Sequence, residues 1–308
     1  MASSVKVYLF GGKGGVGKTT LSGACALSLS RRGVKTLLIS TDPAHSLSDL
    51  FSTPVGGSLK EIRKNLHCLE IDPRSATEIY MKSAMTVAES LFSPEVLDRM
   101  KPAMESLLNT PGLEDSAIID SLAGVITENL GEFGAFIVDT APTGHTVAML
   151  KTVVSSGKWF EVLIQNRIQS VRLKEMAGER RSEEKVLEIL EKRRKKFEDF
   201  SRILISQDTL FVPVMIPEKL SIEETSRLIE SLKNEGVRVR KIVINKVLPD
   251  SVSDAFLRKR KDQEIEYLKD IETRFKDFER IMIPLLERDV HGIENLEKLE
   301  VYAEALLK

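Results

Sequence analysis

Residues 11–20 read GGKGGVGKTT, and they are the part of the chain best equipped for chemistry. Gly12 to Thr19 fit G-x-x-x-x-G-K-[ST], with Gly14, Gly15 and Gly17 inside the loop and Lys13, Val16, Lys18, Thr19 and Thr20 around them. Glycines let the backbone curl until successive N–H groups face phosphate oxygens. A helix that starts at Lys18 adds its free N–H groups and its positive dipole end. Lys18 is placed to reach the β- and γ-phosphates, the Thr19 hydroxyl to ligate Mg²⁺, and Thr20 to meet the α-phosphate. A glycine-rich turn that binds nothing is the competing reading, and the strand before and helix after the loop argue against it.

Two other segments bring carboxylates. In TDPAHSLSDL, residues 41–50, Asp42 follows an apolar strand. A carboxylate at a parallel-strand end can orient a water for in-line attack on a γ-phosphate, or sit beside the metal. Its position before Pro43 equally suits a helix N-cap. In IVDTAPTGHT, residues 137–146, Asp139 ends an apolar strand and is a candidate Mg²⁺ residue. Gly144 supplies a hinge there. His45 and His145 are two of only 4 histidines and offer too few ligands for zinc.

Strands and helices must hold these residues. Apolar stretches at 5–10, 35–41, 66–71, 136–139, 209–216, 239–244 and 281–283 predict strands, with helical patterns between most of them. That alternation means an α/β fold, a doubly wound and mostly parallel sheet of the P-loop NTPase kind. The helix from Lys18 should stop near Gly33. Two stretches break the alternation. Residues 74–132 show only helical spacing, through Met81, Met85, Leu91, Val96, Met100, Met104, Leu107 and Leu108. Residues 157–205 start apolar at 159–164 and then turn charged, with Val186, Leu190, Phe197 and Leu204 on one stripe. The expectation is a single ATPase domain over 1–308 with a helical subdomain inserted at about 74–132 and 157–205. The run RRKKFED at 193–199 is expected to be a solvated helix face.

Composition bounds the function. The 308 residues carry 45 basic and 46 acidic side chains, which argues against a sequence-independent nucleic-acid binder. Two cysteines, Cys25 and Cys68, exclude a disulfide framework and a multi-thiolate metal site built by one chain. No apolar run is long enough to span a membrane, and the first residues lack the pattern of a secretory signal, so a cytoplasmic protein is expected.

The phosphate loop, with its second lysine Lys13, resembles that of nucleoside triphosphatases that act as dimers. The resemblance implies that Lys13 crosses to the partner's nucleotide and acts in catalysis with Lys18 and Asp42; a solvated loop lysine is the bland reading. DPAHSLSD and DTAPTGHT narrow this to the arsenical pump-driving and tail-anchored-protein targeting ATPase family, matching its two switch segments. The segment Pro217–Ser221 with Glu218, the strand-end Asn245, and IPLLERDVHG with Pro284 and Leu285 also resemble the family, which implies nucleotide contacts at Glu218, Asn245, Pro284 and Leu285 and an adenine preference.

The resemblance carries three functions. The first is a Mg²⁺-dependent ATPase whose homodimer closes on ATP, shields the transmembrane segment of a tail-anchored client and delivers it to the membrane, with a receptor there. Adaptable methionines suit such a groove, although Met81, Met85, Met100 and Met104 equally suit a core. The second is an arsenite-stimulated subunit of a membrane pump. Arsenic wants several thiolates, and Cys25 and Cys68 look like core residues. That branch also fuses two such halves, of which this chain has one. The third is a membrane- or nucleoid-positioning ATPase, which needs a terminal amphipathic helix or a basic face; the stretch 294–308 is expected to pack on the sheet instead. The CxxC pair that holds zinc across the eukaryotic factor's dimer has no equivalent here, so no zinc is expected.

Overall fold

The computed structural model describes residues 5–44, 46–91, 95–99, 112–141, 153, 184–251 and 254–308. His45, residues 142–146 with Gly144 and His145, Met100, Met104, Leu107, Leu108 and residues 159–164 lie outside the described residues. The chain divides into two compact units, one of residues 1–71, 129–147 and 203–308, the other of 72–128 and 148–202.

The first unit is built on an eight-stranded sheet. Its strands are β1 (Lys6–Gly11), β2 (Thr36–Ser40), β3 (Lys60–Arg63), β4 (Leu66–Glu70), β5 (Ala135–Asp139), β6 (Thr209–Met215), β7 (Lys241–Val247) and β8 (Glu279–Pro284). Their order is β3-β4-β2-β5-β1-β6-β7-β8, and all neighbours are parallel except β3 with β4. This is the doubly wound α/β sheet expected from the alternation of apolar strands and helices. The central strands β2 and β5 are buried along their whole length, as parallel strands covered on both faces must be.

β3 was not anticipated. KEIR is polar and carries no alternating pattern, because it is an edge strand folded back on β4 through Asn65, whose φ is +65. An edge strand buries too little to need an apolar sequence.

Helix α1 (Lys18–Arg31) follows β1 and returns the chain to β2 across β5. It is buried from Leu21 to Ser30 on every face, and two of its three buried serines bond back to the helix, the Ser28 hydroxyl having no partner among the described residues. Ser22 and Ser30 hydroxyls donate to the carbonyls of Thr19 and Leu27. Gly33 closes the helix at φ +83. Helix α2 (Ser46–Phe51) packs on α1. The carboxy-terminal helices of this unit also pack on α1, held by Arg31 to Glu300 and Arg32 to Glu304 ion pairs, with Ala303 and Leu306 in the core. The final stretch therefore covers α1 rather than offering a free amphipathic face.

The second unit contains α3 (Pro73–Leu91), α4 (Leu113–Glu128) and most of α5 (Glu184–Leu204). α3 packs on α4, and Ala76 of α3 and Ala117, Leu122 and Ala123 of α4 are buried. The charged run of α5 is not simply solvated. Phe197 is buried, Lys196 bridges to Asp120 of α4 at 2.7 Å with both side chains mostly covered, and the Arg193 guanidinium lies 5.1 Å from the Tyr80 ring centre. Lysine and arginine stems cover apolar surface while their heads find partners, so charge density alone misjudged this face. Met81 and Met85 are half-buried and Ile79 of α3 is 67% exposed.

Candidate functional site

Three strand ends meet at one level. Asp139 at the end of β5 lies opposite Phe10 of β1 on one side and Ser40 of β2 on the other. Two threonines lock this junction. The Thr41 N–H donates to the Asp139 carbonyl, and the Thr140 N–H and hydroxyl both donate to the Phe10 carbonyl. This carboxyl edge, where the chain crosses from β1 past β5 to β2, is where α/β sheets bind ligands.

The glycine loop starts from β1 at this edge. Gly12 has no room for a side chain, because a Cβ there would lie 2.1 Å from the Val214 carbonyl oxygen. Gly17 has a φ of +96 and would place a Cβ 2.3 Å from the Asn245 amide nitrogen. Gly14 meets nothing, and Gly15 needs glycine only for its φ of +78. Val16 is buried in the core and pins the loop from below.

Lys18 is 5% exposed, and its ammonium folds back over the loop to donate to the Gly12 and Lys13 carbonyls, each at 3.1 Å. Burial pulls its pKa down, against the opposing pull of Asp139 and Asp42. The Thr19 hydroxyl donates to Asp139 Oδ2 at 2.5 Å and lies 3.4 Å from the Ser46 hydroxyl. Asp139 is fully buried. Burial raises its pKa from 3.8 to about 7, with the Thr19 hydrogen bond and Lys18 opposing and Asp42 adding. Its Oδ1 has no hydrogen-bond partner among the described residues. An orphaned buried carboxylate oxygen beside two hydroxyls is the hard-oxygen donor set that a magnesium ion takes.

Asp42 is half-buried and lines the same cavity. Its Oδ1 accepts the Ala44 N–H at 3.1 Å, closing a turn, whereas α2 begins only at Ser46. The helix is capped instead by Glu70 of β4. Glu70 Oε1 accepts the Leu47 and Ser48 N–H groups at 2.9 and 3.1 Å, and Oε2 accepts the Ser48 hydroxyl at 2.9 Å. The N-cap reading of Asp42 therefore gives way to a buried carboxylate 28 residues later in the chain.

A cavity of about 380 Å³ opens above the loop. Gly15, Gly17, Lys18, Thr19, Thr20 and Asp42 line one side; Asn245, Pro284 and Leu285 line the other. Arg288 and His291, from the loop after β8, also face it and were not singled out by sequence. That loop is tied to α2, since the Gly292 N–H donates to the Leu50 carbonyl at 2.8 Å. Glu218 lines an adjoining cavity of about 560 Å³, which shares Lys246 and Leu285 with the first. It precedes helix α6 (Lys219–Asn234) and pairs with Arg260 at 2.5 Å. Lys13 is half-buried and does not line the cavity of its own chain. Ser46, Glu70 and Lys246 were also missed. Only Ser46, inside the switch-like segment, carried any sequence signal.

Both thiols are sealed away. Cys25 in α1 and Cys68 in β4 are fully buried, and burial pushes both thiols far above their usual pKa.

The comparisons agree with this geometry. A family model described as "Anion-transporting ATPase" matches residues 5–304. A protein of Aquifex aeolicus named "Putative arsenical pump-driving ATPase 2" is 42% identical over 298 residues, covering 97% of this chain and 99% of that protein. "ATPase GET3" of Komagataella phaffii is 34% identical over 320 residues, covering 97% of this chain and 90% of its own. "ATPase ASNA1 homolog 2" of Paramecium tetraurelia is 31% identical over 316 residues, covering 99% and 94%. Together with the loop, the two strand-end carboxylates and the doubly wound sheet, they place the chain in the anion-transporting ATPase family, as an ATP-hydrolysing enzyme of the branch that includes the arsenical pump-driving and GET3/ASNA1 ATPases.

Proposed function

We propose that the chain is a magnesium-dependent ATPase that works as a homodimer in the cytoplasm, closing on ATP to hold the transmembrane segment of a tail-anchored protein and deliver it to a membrane receptor. The observation that carries the choice of branch is the state of the cysteines. The chain has 2, and both are sealed in the core, so it presents no thiolates to trivalent arsenic. The GET3 and ASNA1 relatives, matched along nearly the whole chain, support the targeting branch.

In this reading Lys18 releases the loop carbonyls and turns its ammonium to the β- and γ-phosphates. Thr19, Asp139 and Asp42 would hold a magnesium ion, which would supply positive charge against the phosphates. Asp42 also orients the attacking water, its turn with Ala44 fixing the carboxylate at the cavity wall. Lys13, clear of its own cavity, is delivered to the partner's nucleotide, as an arginine finger would be. Asn245, Pro284 and Leu285 receive the adenine. Glu218, in the adjoining cavity that shares Leu285, reaches the nucleotide once its pair with Arg260 opens. The unit of residues 72–128 and 148–202 is the inserted helical subdomain, and Ile79, Met81 and Met85 contribute to its client surface.

Co-expression with a tail-anchored membrane protein tests the reading. A complex that purifies without detergent and requires the client's apolar helix is expected. No complex, together with hydrolysis raised by arsenite, would overturn it in favour of the pump subunit.

A further inference from the structure

Strand β7 is irregular at its end. Ile244 pairs with Met282 and Val247 with Pro284, so Asn245 and Lys246 together face the single residue Ile283. The extra residue makes a β-bulge. Lys246 takes a φ of +59 in it, a left-handed conformation that residues with a Cβ seldom adopt and that marks functional segments.

The bulge has a consequence for side chains. In an even strand, neighbouring residues point to opposite faces. Here both reach the phosphate loop: Asn245 Nδ2 donates to the Val16 carbonyl and Lys246 Nζ donates to the Gly15 carbonyl, each at 2.8 Å. A trans peptide points its C=O and N–H in opposite directions. Tying the Gly15 carbonyl to β7 turns the Val16 N–H away from β7, and tying the Val16 carbonyl does the same for the Gly17 N–H. These are consecutive N–H groups of the loop that binds phosphate through its backbone.

We propose that Lys246 is a positioning residue for the phosphate loop: paired with Asn245 by the bulge, it fixes the peptide planes whose N–H groups bind the nucleotide's phosphates. The proposal rests on the nucleotide reading of the loop. Lys18 and Lys246 then divide the work, one ammonium meeting phosphate and the other holding the backbone that does.

The test is titration calorimetry with ADP and with inorganic pyrophosphate, which has no base, on wild type, K246A and K246R. An amide NMR spectrum of each protein without ligand accompanies it. Losing one hydrogen bond at an exposed site should weaken both ligands about two- to fivefold in K246A, with recovery in K246R. The Val16 amide should shift in K246A and return in K246R. If K246A fails to fold, K246G accommodates the left-handed backbone while also removing the ammonium. Unchanged affinities with an unmoved Val16 amide would overturn the proposal. So would a loss confined to ADP, which would put Lys246 on the base or ribose. Wild type that binds neither ligand would refute the nucleotide reading instead, and the Val16 amide would still decide the role of Lys246.

Discussion

Asp139→Asn separates the electrostatic cost of the buried carboxylate from its use. Burial raises the Asp139 pKa from 3.8 to about 7, so ionising it in the fold costs about 4 kcal/mol at pH 8. The sign follows from the raised pKa: the stability is intact below the unfolded value and is lost as pH rises through about 7. At pH 5 the same carboxyl is mostly protonated in the fold, and the cost is much smaller. Asparagine never ionises. Its oxygen can keep the Thr19 hydrogen bond, but its NH₂ falls where Oδ1 has no partner, at about 1–3 kcal/mol. In EDTA and without nucleotide, the variant should therefore be about 1–3 kcal/mol more stable than wild type at pH 8 and about equal or less stable at pH 5. Equilibrium urea unfolding of both proteins at the two pH values measures this, and titrations elsewhere in the chain cancel in the difference. A stability difference that is the same at pH 5 and pH 8 would refute the buried-carboxylate argument. Magnesium needs the ionised form. Wild-type affinity for Mg-nucleotide should rise more steeply from pH 5 to about 7 than the variant's, the nucleotide's own phosphate titration being common to both.

Other perturbations follow from the same geometry. Gly17→Ala forces a Cβ to within 2.3 Å of the Asn245 amide at a φ of +96, whereas Gly14→Ala meets nothing; the first should lose at least about 1–2 kcal/mol more in unfolding measurements. Glu70→Gln weakens the cap on α2 and should cost about 1–3 kcal/mol, with hydrogen exchange at Leu47 and Ser48 rising more than elsewhere in the sheet unit. Lys13→Ala should lower turnover without lowering single-chain nucleotide affinity, and mixing it with a Lys18→Ala variant should restore part of the activity if the lysine acts across a dimer.

The features written in local sequence were the legible ones. The phosphate loop sits between a strand and a helix, and Gly12, Gly15 and Gly17 fall where φ is positive, with no room for a Cβ at Gly12 and Gly17. Asp139 was legible because a parallel strand buried on both faces is continuously apolar, so a terminal carboxylate stands out. The supports of the site were not legible. Glu70 closes its helix from a different strand, and Lys246 owes its direction to a bulge that depends on pairing with β8. Such contacts are long-range, and neither spacing nor residue type announces them. The charged stretch of α5 failed for another reason: Lys196 and Arg193 look solvated by type, yet their partners Asp120 and Tyr80 lie on other helices.

The most direct measurement uses Asp42→Asn to hold the ATP state. Asparagine keeps an oxygen for the Ala44 N–H and removes the carboxylate proposed to orient water, so the variant should bind ATP and hardly turn it over. Capture of a tail-anchored client's apolar helix by this variant should be strong with Mg-ATP and weak with Mg-ADP or no nucleotide. Equal capture in all three conditions would contradict the claim that nucleotide closure creates the client site.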